Sequence, residues 1–294
     1  MTGCAHGILL LDKEEGLTSN AALQRARRLL GNRKAGHTGT LDPYATGLLV
    51  LLFGEATKVS DYVLNADKRY RAVLQLGQET NTGDREGEVV SSAAVETSAA
   101  AIGEVLSRFR GSISQVPPMF SAIKQGGQPL YRLARRGIEV ERPARDVEIY
   151  SLELVSWGGD MLVLDVHCSK GTYIRTLAQD IGRGLGCGAH IAALRRLAAG
   201  PFSVDAAYTL AELEAALGRG ECPLETMDQA LSYLPAVTLS ESTAYYVRQG
   251  QGVVVAHAPP PGRIRLYGPQ AQFLGLGEVM EDGKVAPRRL MGVN

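Results

Sequence analysis

The chain has 294 residues, of which 31 are basic and 31 acidic, so its formal net charge is zero. Any surface that binds a nucleic acid must therefore be local. The longest apolar run, residues 48–53, is too short to span a bilayer, and the N-terminus lacks the basic lead of a secretory signal. We expect a cytoplasmic protein without a membrane segment.

Apolar spacing predicts alternating strands and helices. Up to residue 76, the predicted elements are a strand at 7–11, a helix capped by Thr18 or Ser19 and ended by Gly31, a buried strand at 48–53, a helix at 55–64 and a half-buried strand at 68–76. Beyond a polar loop at 78–87, they are a helix over 102–109, strands at 147–155 and 161–168, a helix from Tyr173, an extended segment at 189–197 and a helix at 210–217.

The segment before the buried strand is exceptionally rich in turn-forming residues. Residues 36–47 read GHTGTLDPYATG, and we refer to them as the Asp42 loop. Such a composition is typical of a loop with a fixed, unusual backbone. The loop brings a carboxylate, Asp42, and an imidazole, His37, to the start of a buried sheet. An isolated loop histidine is more often structural than catalytic, so Asp42 is the stronger candidate.

Residues 117–145, which we call the arm, differ from their surroundings. Six basic residues stand against two acidic ones, and glycine and proline interrupt the segment. A long excursion of this kind is either functional or disordered. Basic side chains interleaved with aromatic ones favour an RNA-binding surface. The residues that we expect to bind RNA are Lys124, Arg132, Arg135 and Arg136.

The sequence pattern changes again near residue 233. From there to residue 294, short β-like runs are interrupted by glycine and proline. We predict an α+β protein with two domains. Residues 1–232 form the first domain, with the strands and helices given above, and residues 233–294 form a small β-rich module. The four cysteines show no paired Cys-x-x-Cys spacing, so we expect reduced thiols.

Arg175 is informative because it lies in the first turn of a predicted helix, where the macrodipole disfavours a cation. A nearby anion is expected, and Asp42 is the obvious partner. A carboxylate paired in this way would stay ionised, as a nucleophile requires. A surface arginine paired only with water is the alternative.

Other chemistries fit the sequence less well. The Asp42 loop lacks the Lys-Ser/Thr ending of a nucleotide-binding P-loop. The histidines do not have metal-ligand spacing, and no Gly-x-Ser-x-Gly elbow is present. We therefore expect no zinc site.

Four ordered motifs resemble those of the TruB family of pseudouridine synthases, whose bacterial members act on position 55 of tRNA. They are residues 36–49, 67–70 (DKRY), 169–177 (SKGTYIRTL) and 188–196 (GAHIAALRR). The end of the chain, 285–289 (VAPRR), resembles that of the family's PUA-type RNA-binding module. The resemblance covers nearly the whole chain, and for residues 1–232 it implies a mixed, largely antiparallel sheet with flanking helices.

The resemblance implies roles for individual residues. Asp42 would be the nucleophile, forming an adduct at ribose C1′ or acting through a glycal route. Tyr70 would stack on the uracil and is a candidate for proton transfer, and Arg175 would pair with Asp42. Tyr173 and Leu194 would line the uridine pocket, and His37 would help hold the flipped-out base.

The family resemblance also predicts the substrate and the partners. The substrate would be a uridine in the T stem-loop of tRNA, flipped out of its stack before reaction. No cofactor or metal is implied, because the isomerisation is redox-neutral. No guide RNA or obligate protein partner is expected, and a monomer is the default. Two alternatives remain, an RNA-guided enzyme acting on ribosomal RNA and a non-catalytic protein that binds or folds tRNA.

Overall fold

The computed structural model describes residues 6–31, 34–121 and 123–292. The strands are β1 Gly7–Lys13, β2 Ala35–His37, β3 Thr46–Phe53, β4 Lys68–Leu76, β5 Gln78–Thr80, β6 Val89–Ser92, β7 Gly111–Gln115, β8 Lys124–Gln125, β9 Gln128–Pro129, β10 Arg145–Gly158, β11 Met161–Cys168, β12 Ala189–Ala199, β13 Phe202–Ser203, β14 Ala236–Thr238, β15 Val253–Val254, β16 Gly262–Tyr267, β17 Phe273–Val279 and β18 Lys284–Leu290. The α-helices are α1 Ser19–Leu29, α2 Ser60–Leu64, α3 Ala99–Ser107, α4 Leu130–Ala134, α5 Ile174–Gly184, α6 Leu210–Gly218 and α7 Glu241–Arg248.

One large sheet organises the first two thirds of the chain. Its order is β1-β3-β12-β4-β11-β10-β7, with β2 and β13 paired at its side. Every pairing is antiparallel except that of β3 with β12. The predicted α+β fold with a mixed, largely antiparallel sheet is confirmed.

The buried strand β3 explains how the sheet is packed. One face, with Leu49, Leu51 and Phe53, lies against α1 and α6. The other face, with Leu48 and Val50, packs on the helical turns at 54–64 and on the C-terminal sheet. An apolar run without alternation is typical of a strand covered on both faces. Farther along the sheet, α3 and α5 cover the β4, β10, β11 and β12 strands.

The C-terminal part has a sheet of its own, in the order β14-β16-β17-β18-β15, with a separate apolar cluster that also includes α7. Sequence reasoning found the β-rich character but missed α7, because only Ala244 and Val247 of that helix are buried. The division of the chain at residues 232 and 233 stays a prediction.

The structure differs from the sequence predictions in three further places. The predicted helix at 55–64 is a 3₁₀ helix, Gly54–Val59, followed by the short α2. The predicted polar loop at 78–87 contributes β5 to a hairpin with β6. Cys168 and Cys187 are buried free thiols, but the exposed Cys222 is disulfide-bonded, since spacing in sequence does not reveal which thiols a fold brings together.

The arm is inserted between two neighbouring strands of the large sheet, β7 and β10. Arg145, which the sequence analysis assigns to the arm, is already the first residue of β10 and pairs with Gln115. Within the arm, the two-residue strands β8 and β9 form a hairpin that leads into α4. The arm is therefore an excursion from a sheet edge whose two ends are fixed side by side.

Candidate active site

Hydrogen bonds from several elements fix the Asp42 loop. The Ser19 hydroxyl, at the start of α1, accepts from the Leu41 amide at 2.8 Å and donates to the Leu41 carbonyl at 3.0 Å. The buried Lys13 ammonium donates to the Pro43 carbonyl at 3.2 Å. Gly39 has φ +88°, a conformation that favours glycine. Asp42 is thus held between two anchored neighbours.

Arg175 forms ion pairs with two carboxylates, those of Asp42 and Asp84. Its Nε lies 3.3 Å from Oδ2 of Asp42, and its Nη1 lies 3.3 Å from Oδ2 of Asp84. The Arg175 side chain is 9% exposed, whereas that of Asp42 is 35% exposed. The expected ion pair between Asp42 and Arg175 is present, and Asp42 keeps the access to solvent that a reacting group needs.

Asp84 is a site residue that the sequence analysis missed. It is buried, and its Oδ1 accepts from the Thr82 hydroxyl at 2.6 Å and from the Glu86 amide at 3.1 Å. These bonds orient the second oxygen toward Arg175. The only signal in the sequence was a carboxylate within a polar loop, which many surface loops share.

Burial and charge act in opposite directions on Asp42. Burial is the larger effect and raises the pKa of the Asp42 carboxyl; Arg175 and Lys13 lower it, and Asp84 raises it further. The expectation that pairing alone would keep Asp42 ionised is thus incomplete, since desolvation outweighs the Arg175 charge. Lys13 is the second cation that acts on Asp42, and burial lowers the pKa of its ammonium group to about 8.

The predicted pocket-lining residues come from neighbouring strands. Tyr70 on β4 is a register partner of Arg196 on β12, and Leu194, two residues earlier on β12, faces the same side of the sheet. Tyr70 packs against the apolar cluster that contains Leu194. Burial raises the pKa of the Tyr70 phenol, and the Arg196 charge opposes this effect.

Tyr173 precedes α5 and is fixed by an unexpected partner, Gln115. The buried Gln115 amide accepts from the Tyr173 backbone N–H at 3.0 Å and donates to the Tyr173 carbonyl at 3.3 Å. Gln115 ends β7, directly before the arm. Two residues after Tyr173, Arg175 donates from Nη2 to the Phe120 carbonyl in the arm at 2.7 Å. The base of the arm is therefore bonded to the start of α5 at two points.

His37 lies at the end of β2, at the entrance to the Asp42 loop. Its Nδ1 is buried, with no hydrogen-bond partner among the described residues. Burial lowers the pKa of His37, and the nearby Arg196 lowers it further, so the neutral imidazole is favoured. A neutral ring can donate and accept hydrogen bonds, which suits contact with RNA.

The predicted RNA-binding residues lie on the hairpin of the arm, on α4 and directly after α4. Lys124, Arg132, Arg135 and Arg136 are all exposed. No ion pair involves them within the described ranges, and the Arg135 guanidinium lies 5.8 Å from the ring centre of Tyr131. Their charges are available to an anionic ligand.

Two further properties concern the described part of the chain. It contains no group of three or more His, Cys, Asp or Glu side chains placed to hold a metal ion. None of its helices has the length and apolar character needed to cross a membrane.

Comparison with known proteins gives these features a context. Family models match residues 27–174 (TruB family pseudouridylate synthase, N terminal domain), 175–235 (tRNA pseudouridylate synthase B C-terminal domain) and 235–291 (Pseudouridine synthase II TruB, C-terminal).

Curated relatives are similar over nearly their full length. Proteins named tRNA pseudouridine synthase B are 55% identical in Pseudomonas putida (97% of this chain, 95% of that protein) and 51% identical in Coxiella burnetii (97% and 94%). Among solved structures, a chain of a Cbf5-Nop10-Gar1 complex superposes with a TM-score of 0.76 and 27% identity, covering 98% of this chain and 85% of that chain. The chain belongs to the TruB family of pseudouridylate synthases.

Proposed function

We propose that the protein converts the uridine at position 55, in the T loop of tRNA, to pseudouridine without a guide RNA, with Asp42 as the covalent nucleophile. The observation that carries this proposal is the Asp42–Arg175 ion pair, in which the arginine is almost buried and the carboxylate is partly open. A fixed cation beneath an accessible carboxylate orients it for attack and opposes the rise in its pKa that burial causes. The tRNA in the names of the 50–55% identical relatives supports the substrate class.

The reaction is an isomerisation and needs no oxidant or reductant. In its simplest form, an Asp42 oxygen forms a bond to ribose C1′ as the N1–C1′ bond breaks, and uracil leaves as an anion. The base then turns, C5 forms a bond to C1′, and the Asp42 oxygen is released. C5 loses its proton and N1 gains one, so atoms and charge balance.

The target base must first leave its stack, which costs about a few kcal/mol. Stacking on an aromatic ring contributes about 1–3 kcal/mol per base, and the position of Tyr70 on the sheet face beside Leu194 supports a stacking role for its ring. Phosphate contacts from Arg132, Arg135 and Arg136 would add sequence-independent affinity. These terms together would offset the cost of flipping. We expect the reaction to take place in the cytoplasm and the enzyme to act as a monomer.

A second candidate function, guided modification of another RNA, is favoured by one observation. Solved structures of similar fold include an H/ACA RNP bound to a substrate RNA, at 25% identity and a TM-score of 0.74. The bacterial relatives named for tRNA are about twice as similar in sequence, and we therefore favour the tRNA reaction.

One experiment separates these functions. Purified protein is incubated with an unmodified tRNA transcript alone, and pseudouridine is mapped chemically along the RNA. We expect product at position 55 only, and a transcript with cytidine at that position serves as the control. Product that requires an added guide RNA, or tRNA binding without any product, would contradict the proposal.

A further inference from the structure

The N-terminus of α5 is held differently from those of the other long helices. Of the described helices with eight or more residues, α1, α3, α6 and α7 each follow a serine or threonine whose side chain accepts from a backbone N–H of the first turn. The residue before α5 is Tyr173, and among the described residues it makes no such bond, nor does the first turn of α5 contain an acidic residue. The start of α5 therefore depends on a partner from elsewhere in the chain.

That partner is Gln115, which lies 58 positions before Tyr173. The Gln115 side chain is buried, with 2% of the residue exposed. Its amide oxygen accepts from the Tyr173 N–H at 3.0 Å, and its amide nitrogen donates to the Tyr173 carbonyl at 3.3 Å. Because hydrogen bonds are directional, two of them to the backbone of one residue fix its orientation as well as its position.

Gln115 is itself attached to the large sheet. It is the last residue of β7, and its register partner on β10 is Arg145. The same strand β10 also holds the beginning of the loop before α5. The Ser169 N–H donates to the Glu148 carbonyl at 2.8 Å, and the Ser169 hydroxyl accepts from the Glu148 N–H at 2.9 Å. Residues 169–173 are thus fixed to the β7–β10 pair at both ends.

The start of α5 carries two residues of the candidate site, Tyr173 and Arg175. The Arg175 Nε lies 3.3 Å from Oδ2 of Asp42, slightly beyond the usual hydrogen-bond distance, so any further displacement separates the two groups. The helix macrodipole also disfavours a cation in this turn. Since Arg175 follows Tyr173 by two residues, the position of its guanidinium depends on how the Tyr173 backbone is held.

We propose that Gln115 is a positioning residue of the reaction, which holds the Tyr173 backbone and thereby sets the distance between the Arg175 guanidinium and the Asp42 carboxylate. This inference rests on the proposed function, in which Asp42 is the nucleophile. Gln115 acts through the start of α5 rather than on the substrate. Reaction rates depend on the placement of the reacting groups to within a fraction of an ångström, so a shift of this turn would slow the chemical step.

Three variants test the proposal. Gln115→Met keeps the length of an unbranched side chain but removes both hydrogen bonds. Gln115→Glu can still accept from the Tyr173 N–H, and its negative charge is favourable at a helix N-terminus, but the carboxylate cannot donate to the Tyr173 carbonyl. Gln75→Met is the matched control, because Gln75 is a half-buried glutamine near the end of β4 whose amide donates to the Leu76 carbonyl at 3.0 Å.

Kinetics supply the first readout. Under single-turnover conditions with saturating tRNA, we expect Gln115→Met to slow pseudouridine formation about 10- to 100-fold. Gln115→Glu should lose less, and Gln75→Met should match the wild type. The Kd for tRNA should stay within about twofold in all three variants, because the basic side chains of the arm are unchanged. A loss of affinity without a loss of rate, or an equal loss of rate in the control, would overturn the inference.

Hydrogen exchange measured by NMR supplies the second readout, on the backbone N–H of Tyr173 and the Nε–H of Arg175. We expect Gln115→Met to accelerate exchange at both groups about tenfold, Gln115→Glu to accelerate it less, and Gln75→Met to leave it unchanged. Gln115→Glu serves if the methionine variant does not fold. Exchange at Arg175 that is the same in wild type and in a folded Gln115 variant would contradict the proposal. Because this measurement needs no RNA, its result is independent of whether the proposed tRNA reaction is correct.

Discussion

The pocket around Asp42 and the arm illustrate two different ways of holding a functional group. In the pocket, Arg175 contacts Asp42, Asp84, Thr82 and Phe120, and each neighbour has further fixed partners. In the arm, the described buried residues are few, namely Pro117, Ser121 and Leu130, and the basic side chains extend into solvent. Chemistry needs atoms fixed to within a fraction of an ångström, whereas a surface that follows an RNA backbone needs charge and reach. Variants in the two regions should therefore fail in different ways.

The largest effect is expected at Asp42. Asp42→Asn keeps the shape of the side chain but removes the proposed nucleophile, so turnover should fall by about 10⁴-fold or more. Binding of tRNA should persist, since the arm is untouched. Single-turnover assays and filter binding on the same preparation measure the two quantities. Equal losses of rate and affinity would show that Asp42 contributes to binding rather than to the chemical step.

Asp84→Asn should have the next largest effect, about 10- to 100-fold in single-turnover rate. Asparagine can still accept from Thr82 and Glu86, so the loop should stay in place while Arg175 loses one of its two anions. Asp165→Asn is a matched control, because Asp165 pairs with Arg71 on an exposed part of the sheet, away from the pocket. A rate loss of the same size in the control would argue against a specific role of Asp84.

The pH dependence tests the same network. Because the pKa of Asp42 is raised and the ionised form reacts, the acidic limb of kcat/KM should lie above the ordinary value of 3.8. Asp84 contributes to this raised pKa, so Asp84→Asn should move the limb to lower pH even though the maximal rate falls. The folded state also binds the proton of the Asp42 carboxyl more readily than the unfolded chain does. Protonated Asp42 therefore stabilises the folded state at low pH, and this contribution is lost as the pH rises through the folded-state pKa of Asp42. An acidic limb at the same pH in Asp84→Asn and in wild type would show that Asp84 does not raise the pKa of Asp42.

The arm should show the smallest effect on chemistry and a clear effect on affinity. Replacing Arg132, Arg135 and Arg136 with glutamine should weaken tRNA binding about 10-fold or more near 0.1 M salt and reduce the slope of log Kd against log salt by about 2. The rate at saturating tRNA should stay within about twofold. A control variant replaces Arg71, Arg108 and Arg219, which form surface ion pairs elsewhere, and so matches the change in charge. Identical slopes for the two variants would refute a specific role for the arm.

Sequence reasoning succeeded where a single residue or a short run of residues carried a local physical signal. The uninterrupted apolar run at 48–53 predicted a buried strand, and Arg175 in the first turn of a helix predicted an anion beside it. It did not find Asp84, Gln115 or Arg196 as site residues. Each of these is an ordinary polar residue in a loop or strand, and its role arises from burial against partners far away in the chain, as when Arg196 reaches Gly39. The pKa of the Asp42 carboxyl likewise cannot be predicted from the sequence, because it depends on which groups surround the carboxylate in the fold.

The two contacts at the base of the arm link recognition to chemistry. Gln115 clamps the backbone of Tyr173, and the Phe120 carbonyl accepts from Arg175, so the arm's root and the cation that orients Asp42 share hydrogen bonds. A displacement of the arm at Phe120 would therefore change the surroundings of Arg175 as well. We therefore expect changes at the base of the arm, unlike changes of its exposed arginines, to disturb the geometry around Asp42. Discrimination among RNAs would then be seen in the rate of the chemical step as well as in affinity.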